Sequence, residues 1–384
     1  MSLAAECVSL PLVAYYFYQV APLSTVMNLL VVPFFSLLVP LALVALLIAG
    51  FLPVLGALVF FPVRMLILVI VALMDIVNQL TGTLHLYIGQ PSLWLLVLCY
   101  ALPQSGFCLI PLDARRLCTL ALAAVALCLA VIILRPAVSE DLRLSVVDVG
   151  QGTGCTYQTA DGRWLVFDTG PGADTVAQYL RYCGTNTIAA LVLSHSDLDH
   201  IGGAAHILRD FNVEKLLASP YAQTTDEWQA LVPYLGDTEI ISVNEPMTFR
   251  LGDAQLGCDL LAASEDGGEN SNQVVARLED DGLSTLFTGD TAAESLDEIS
   301  WQQATDLILV PHHGSKNSWD ATFFDTRQPS LALISAGRNN RYGHPHAETT
   351  DGLSALNIPT LCTADSGAVR IYAQDGALYY KTGP

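Results

Sequence analysis

The chain has 384 residues, a mean hydropathy of +0.45 and a formal net charge of −20. That length exceeds one ordinary domain, and 52% apolar residues exceeds an ordinary soluble composition. The charge excludes binding of nucleic acid through a bare basic surface, because phosphate binding normally runs on Lys and Arg.

The charge is unevenly spread. Residues 1–136 hold Glu6, Arg64, Asp75, Asp113, Arg115, Arg116 and Arg135, which is 4 − 3 = +1. The remainder holds 13 basic and 34 acidic residues, or −21. This predicts a membrane half followed by a strongly acidic soluble half. The scarcity of lysine (Lys215, Lys316 and Lys381) would also suit a salty habitat.

The start, Met1–Glu6, has no basic n-region, and the apolar sequence after it does not stop, so no cleaved signal peptide is expected. Apolar stretches run over Val8–Pro22, Met27–Gly50, Phe51–Val77, Leu93–Leu112 and Leu117–Leu134. The last has 18 residues without a charge, close to the roughly 20 that cross a hydrocarbon layer. Met27–Gly50 is a second clear span. The others are cut by Pro and Gly, as in Phe51-Leu-Pro-Val-Leu-Gly and Tyr100-Ala-Leu-Pro-Gln-Ser-Gly. These read as broken helices, which suit a transporter or channel, or as ordinary kinked packing. Arg64 and Asp75 are expected to face a bundle or pore, unless Arg64 marks an interface. Arg115 and Arg116 outweigh Arg135 across the last span. That bias places the 115–116 end in the cytoplasm and delivers the acidic half to the outer side.

Residues 137–141 read as a linker. Leu142–Val149 alternates toward a strand and ends in Gly150-Gln-Gly-Thr-Gly. Strands are expected at Trp164–Phe167, Ala189–Leu193, Gln273–Leu278, Ser284–Phe287, Leu307–Val310, Leu331–Ser335, Val369–Tyr372 and Ala377–Tyr380. Helices are expected at Ala173–Tyr182, Gly203–Asp210 and Thr349–Leu356. Strands ending in polar loops, interleaved with helices, describe layered sheets with helices outside. Cys155, Cys183, Cys258 and Cys362 are far apart and form no Cys-x-x-Cys, so a structural zinc knuckle is not expected, whereas one or two disulfides are compatible with the spacing.

The soluble half is organised around Leu193-Ser-His-Ser-Asp-Leu-Asp-His-Ile-Gly-Gly203. His195, Asp197, Asp199 and His200 lie between an apolar strand and a Gly-Gly pair. Alternating ligands on an extended segment, followed by adjacent Asp-His, can face two metal ions from one loop. A plain polar loop with solvated histidines does not account for that pattern.

Asp148-Val-Gly-Gln-Gly, Asp168-Thr-Gly, His195-x-Asp-x-Asp-His200, Thr288-Gly-Asp290 and Pro311-His-His-Gly-Ser together resemble the metallo-β-lactamase fold superfamily. Gly337-Arg-Asn-Asn-Arg-Tyr-Gly-His-Pro-His346 and the preceding helices narrow the resemblance to the ComEC family of competence proteins, the DNA-uptake channels of bacteria. Two departures stand out. Relatives usually read Asp-Val-Gly-Gln-Gly-Asp, and here Thr153 takes the last place. Family members also usually begin with a further membrane segment and a small β domain, so this sequence looks like the C-terminal part of such a protein or a shortened member.

The resemblance implies a polytopic α-helical membrane region over 1–136 and an αββα hydrolase domain over 142–384. It places His195 and Asp197 on one divalent ion and Asp199 and His200 on another, with Asp290 bridging. His313 completes the shell, His312 being the competing choice. Asp168 would orient a ligand histidine. Two such ions, Mn²⁺ or Zn²⁺, generate a hydroxide at neutral pH. Asp197 adds a hard oxygen ligand, which favours phosphoryl chemistry over β-lactams. Asp199, His312, His344 and His346 are the candidate catalytic residues, with His344 and His346 as general acids or loop-holding groups. Lys316, Arg338 and Arg341 are candidate phosphate contacts, or partners of surplus carboxylates. Asn272 reads as a turn residue or a site contact. The implied function is DNA uptake at the inner membrane, with one strand degraded while the other is transported. The implied partners are single-stranded DNA, membrane lipid and other competence proteins. The alternatives are an idle transport subunit, or a phosphodiesterase acting on small or cell-wall substrates.

Overall fold

The computed structural model describes residues 2–20, 24–81, 86–109, 141–261, 272–374 and 376–383. The chain divides into two compact units, Met1–Ala137 and Val138–Pro384. The expected span Leu117–Leu134, its flanking arginines and the linker up to residue 140 lie outside the described residues.

The first unit comprises α1 (Ser2–Phe17), β1 (Gln19–Val20), α2 (Ser24–Phe51), α3 (Pro53–Thr81), β2 (Leu86–Tyr87) and α4 (Leu93–Leu109). β1 and β2 pair antiparallel. Val31–Phe51 and Pro53–Ile76, each with mean hydropathy 2.7, are long and apolar enough to cross a membrane. Leu52 alone separates α2 from α3. Pro53 opens α3 at the first helical position, where no N–H is required. Past the turn the chains touch: a Cβ on Gly56 would lie 2.4 Å from Ala49 Cα. Phe51, Val54, Leu58 and Trp94 are largely exposed. Of the two interruptions expected, the one in Phe51–Gly56 falls at Leu52, between α2 and α3, and the one in Tyr100–Gly106 is not found. After Leu52 the chain is helical to Thr81, and Tyr100–Gly106 lies inside an unbroken α4. A proline removes one intrahelical bond, and a long apolar segment keeps the others because no alternative partner is near.

The second unit runs β3 (Leu142–Val146), β4 (Gly154–Gln158), β5 (Trp164–Thr169), α5 (Thr175–Cys183), β6 (Thr187–Ile188), β7 (Ala190–Val192), α6 (Leu198–Ile201), α7 (Ala204–Asp210), β8 (Asn212–Val213), β9 (Lys215–Ala218), α8 (Asp226–Leu231), β10 (Glu239–Ser242), β11 (Met247–Leu251) and β12 (Ala254–Leu261). It continues with β13 (Gln273–Asp280), β14 (Leu283–Phe287), β15 (Leu307–Leu309), α9 (Ala321–Arg327), β16 (Leu331–Ile334), α10 (Ala347–Ala355), β17 (Thr360–Cys362), α11 (Thr363–Ser366), β18 (Ala368–Gln374) and β19 (Ala377–Gly383). One sheet has the order β10-β9-β7-β5-β4-β3-β18-β19, the other β11-β12-β13-β14-β15-β16-β17. Strands β5, β7, β9 and β10 are parallel, as are β14 to β17.

Apolar side chains from both sheets fill the space between them, including Leu144, Leu165, Val192, Leu256, Val274, Leu309 and Leu333. Phe167 and Phe287 stack across the gap at 3.6 Å and 8°. Each is followed by site residues, so this pair, worth about 1 kcal/mol beyond its burial, pins the two loop-bearing ends together. Outside, α5 buries Val176, Ala177, Leu180 and Cys183 on one helical stripe. Phe323, Phe324 and Leu353 of α9 and α10 pack on Leu286, Ile308 and Ile334 of the second sheet. The architecture is therefore αββα. Residues 211–261, where the sequence pattern predicts no elements, carry β8 to β12. Cys155, Cys183, Cys258 and Cys362 are buried and free, so the disulfides allowed by spacing do not form. Each sits in a different element.

Candidate metal centre

Parallel strands present their carboxyl ends together, and ligand groups collect there. The carboxyl ends of β5, β7, β14, β15 and β16 meet in this way: Asp168 is near the end of β5 itself, and the segments after the other four carry His195 to His200 (Asp199 and His200 on α6), Asp290, His313 and Ser335.

Asp168 ties the first loops together. Its carboxylate accepts from Ser194 N at 2.8 Å, from Ser194 Oγ at 2.7 Å and from His200 Nδ1 at 2.8 Å. Ser194 has one hydroxyl proton, and Asp168 takes it. The 2.9 Å contact between Ser194 Oγ and His195 Nδ1 therefore runs from the ring N–H to the hydroxyl. His313 Nδ1 lies 2.9 Å from the Ser335 carbonyl, which can only accept. All three imidazoles thus carry a proton on Nδ1 and turn Nε2 toward one another. His195 and His200 have ring centroids 4.1 Å apart, and His200 and His313 are separated by 5.2 Å.

Asp290 faces them. Oδ1 is 3.2 Å from His200 Nε2, and Oδ2 is 3.6 Å from His312 Nε2 and 3.7 Å from His313 Nε2. Asp199 Oδ2 is 3.4 Å from His313 Nε2. His195, His200 and Asp290 form one cluster able to hold a metal ion, and Asp199, His200 and His313 form another. Four buried atoms, His195 Nε2, His200 Nε2, His313 Nε2 and Asp290 Oδ1, have no hydrogen-bond partner. Other buried atoms of the described residues also lack a partner, but these four belong to ligand groups that face one another, so the donor set fits divalent cations.

The electrostatics agree. Burial pushes the Asp290 carboxyl up, but His200 and His313 overcome it and hold it well below the usual range. Burial pushes His200 down, and Asp290 with Asp168 reverses this to well above its ordinary value. The same carboxylates that favour an imidazolium there favour any other cation. Asp199 is likewise lowered, against its burial, by His313 and His200.

Asp197 lies outside both clusters, with Oδ2 3.6 Å from His195 Nε2 and its side chain 38% exposed. His312 is partly exposed and His313 buried, so His313 is the one turned fully inward. Both occupy left-handed backbone, at φ 50° and 55°, as Asp168 does at 54°. Such conformations cluster at functional sites. His344 stands 5.6 Å from His312 and 4.9 Å from His346, ring to ring. Burial, then His313, His312 and His346, hold His344 down to about 4. His346 Nδ1 accepts from Lys316 N at 3.2 Å. Lys316, Arg338 and Arg341 are exposed. Arg338 Nε donates to the Ala364 carbonyl at 2.9 Å, whereas Arg341 is near enough to Asp199 to feel its charge. Asn272 sits in a left-handed turn at φ 69°.

Four residues that sequence reasoning leaves without a role support the site. Ser194 sets the His195 tautomer. Gln273 Oε1 accepts from Asp290 N at 2.6 Å. Ser335 fixes His313 through its carbonyl and donates Oγ to the Gly152 carbonyl at 2.7 Å. Asn340 braces the loop of residues 337–346.

The Gly150–Thr153 turn is wedged between these loops. Thr153 N donates to the Asp199 carbonyl at 3.0 Å, and Thr153 Oγ1 lies 3.5 Å from His313 Nδ1. Gly152 has φ 137°, and a Cβ there would sit 2.3 Å from Asp199 O. Gly152→Ala is therefore expected to lower stability by at least about 2 kcal/mol. A thermal melt within about 1–2 °C of the parent would contradict this wedge.

The metallo-beta-lactamase superfamily model matches residues 151–338, and the competence protein model matches residues 1–113. ComE operon protein 3 of Bacillus subtilis is 28% identical over 96% of this chain and 51% of its own length. Recombination protein 2 of Haemophilus influenzae is 28% identical over 64% of this chain and 30% of its own. The chain thus spans about half, or less, of these relatives. Among solved structures, the metallo-beta-lactamase fold protein YhfI from Bacillus subtilis is similar at 13% identity and a TM-score of 0.43, covering 63% of this chain and 100% of that one. The chain thus joins a region that matches the competence protein model to a domain that matches the metallo-beta-lactamase superfamily model, and over 96% of its length it is similar to ComE operon protein 3.

Proposed function

We propose that the second unit is a two-metal phosphodiesterase that degrades one strand of incoming DNA, and that the first unit belongs to the membrane channel for the other strand. The observation that carries this reading is the convergence of four buried, unpartnered atoms on His195, His200, His313 and Asp290. In this reading His195 and Asp197 would hold one divalent ion, and Asp199, His200 and His313 would hold the other. Asp290 would serve as a further ligand, its two oxygens facing different histidines. When bound, Mn²⁺ or Zn²⁺ ions would polarise a phosphoryl oxygen and make an attacking water more acidic.

The chain's own groups supply the remainder. Asp199 would accept a proton from the attacking water. Lys316 and Arg341 would contact phosphate, and Arg338 would do so from its anchorage on Ala364. The ions and these cations answer the acidic field of −21 over the rest of the chain. With its Nδ1 engaged as an acceptor, His346 is a neutral ring whose Nε2–H would hydrogen-bond the leaving oxygen, which would take its proton from water. His344, held to about 4, is neutral at pH 7 and would accept hydrogen bonds. His312, at the partly exposed rim, would contact substrate beside Asp290.

The names of the relatives support DNA as substrate, and the apolar exposed faces of α2 and α3 support a lipid environment. The reading places the chain in the inner membrane as a multi-pass protein, with the hydrolase domain on the outer side beside other competence proteins.

The test uses the full chain in detergent, supplied with Mn²⁺ or Zn²⁺, and single- and double-stranded oligonucleotides. Cleavage of either supports the reading. No cleavage with any divalent ion would sink it, and turnover of small phosphodiesters alone would move the substrate away from DNA.

A further inference from the structure

Beyond the metal ligands, residues 337–346 form a rigid loop that presents an aromatic ring at the edge of the site. Asn340 builds the rigidity. Its Oδ1 accepts from Tyr342 N at 3.1 Å and from His344 N at 3.0 Å. Its Nδ2 donates to the carbonyls of Gly337 and His344. The amide is thus spent on holding the backbone around Tyr342.

The Tyr342 side chain does not fold back into the core. It is 49% exposed. One face stacks on His344 at 5.7 Å and 22°. His344 in turn stands 5.6 Å from His312 and 6.1 Å from His313. A continuous run of rings therefore leads from the cluster to solvent. The other partner of the Tyr342 ring is the Arg341 guanidinium, 4.7 Å from the centroid and itself exposed. The same guanidinium also donates to the Tyr342 hydroxyl, and being exposed to water it leaves both contacts at little cost. A planar ligand can then take its place while the cation turns to a neighbouring phosphate.

A flat, braced ring with a cation beside it is the arrangement that binds single-stranded nucleic acid, where bases stack on aromatic faces irrespective of sequence. A duplex keeps its bases stacked internally and has none to offer. Resting on the phosphodiesterase reading above, we infer that Tyr342 is a stacking subsite for a nucleobase next to the scissile phosphate, with Arg341 as its phosphate contact, and that it selects single strands.

The test compares two strands of equal length, one intact and one made wholly of abasic residues, cleaved by the full chain in detergent with Mn²⁺. Tyr342→Ala is expected to raise KM for the intact strand about tenfold and to change kcat by less than about twofold. The abasic strand should be cleaved equally by parent and variant. Tyr342→Trp should retain the parent KM, and melts of all variants should coincide, since the residue is half-exposed. If Tyr342→Ala alters both strands alike, or neither, the ring is only a structural neighbour of His344 and the subsite is overturned while the phosphodiesterase reading stands. If the parent cleaves neither strand, the phosphodiesterase reading fails and the subsite falls with it.

Discussion

Asp290→Asn is expected to abolish strand cleavage, with a loss of roughly 10³-fold or more, and to empty at least one metal position. The side chain keeps its size, so packing around it changes little. Its chemistry changes completely. The carboxylate offers Oδ1 toward His200 and Oδ2 toward His312 and His313. An amide has one oxygen to offer, and its NH₂ would point a donor where a cation should sit. The buried charge that favours cations at this spot is lost with it. The backbone N–H of residue 290 still has Gln273 as acceptor, so the loop remains in place. Cleavage rates and metal content should fall together while the circular dichroism spectrum is unchanged. A variant that keeps near-parental rates would remove Asp290 from the site and point to a contaminating nuclease.

Asp168→Asn should cost about 10- to 100-fold in metal affinity although Asp168 touches no ion in this scheme. Its carboxylate receives three donors, Ser194 N, Ser194 Oγ and His200 Nδ1. An Asn oxygen can satisfy the backbone N–H. The NH₂ group can donate to the Ser194 hydroxyl but meets the ring N–H of His200 donor against donor. His200 relieves the clash by moving its proton to Nε2, which closes the lone pair that faces Asp290. Asparagine is the informative replacement because residue 168 has φ 54°, a conformation Asn tolerates. Alanine would add backbone strain and confuse the outcome. Metal titration of the purified variant provides the check, and affinity equal to the parent's would mean that Asp168 does not set the His200 tautomer.

These two variants also mark what was legible in the sequence. His195-x-Asp-x-Asp-His200 and its Gly-Gly exit are contiguous, so their chemistry shows without a fold. Asp290 and His313 lie about 90 and 113 residues beyond His200. Only the resemblance joined them to it, and the parallel strand ends supply the physical reason for their meeting. The supporting residues were not legible. Ser194, Gln273, Ser335 and Asn340 act on or through backbone atoms and ring nitrogens, and nothing in a string of letters marks those pairings. Ser335 and Gly152 are 183 positions apart.

The fold shows the same division. Apolar runs such as Ala190–Val192 and Leu331–Ile334 are buried on both faces and read as strands at once. Glu239–Ser242 and Met247–Leu251 are largely exposed strands at sheet edges; the first is too short to show a period, whereas Met247-Thr-Phe-Arg-Leu251 does alternate and is a signal that the sequence reading passed over. Proline misled in the other direction. Pro53 marks a true boundary between α2 and α3, whereas the run containing Pro103 stays helical. Both prolines follow a leucine in an apolar run, so local sequence does not distinguish them.

The most direct test of the two-ion claim is the metal content of the full chain, purified in detergent, loaded with Mn²⁺ or Zn²⁺ and desalted. The two-ion scheme predicts about two divalent ions per folded chain, falling to about one or none in Asp290→Asn. A folded chain that retains no divalent ion after loading would contradict the two-metal centre.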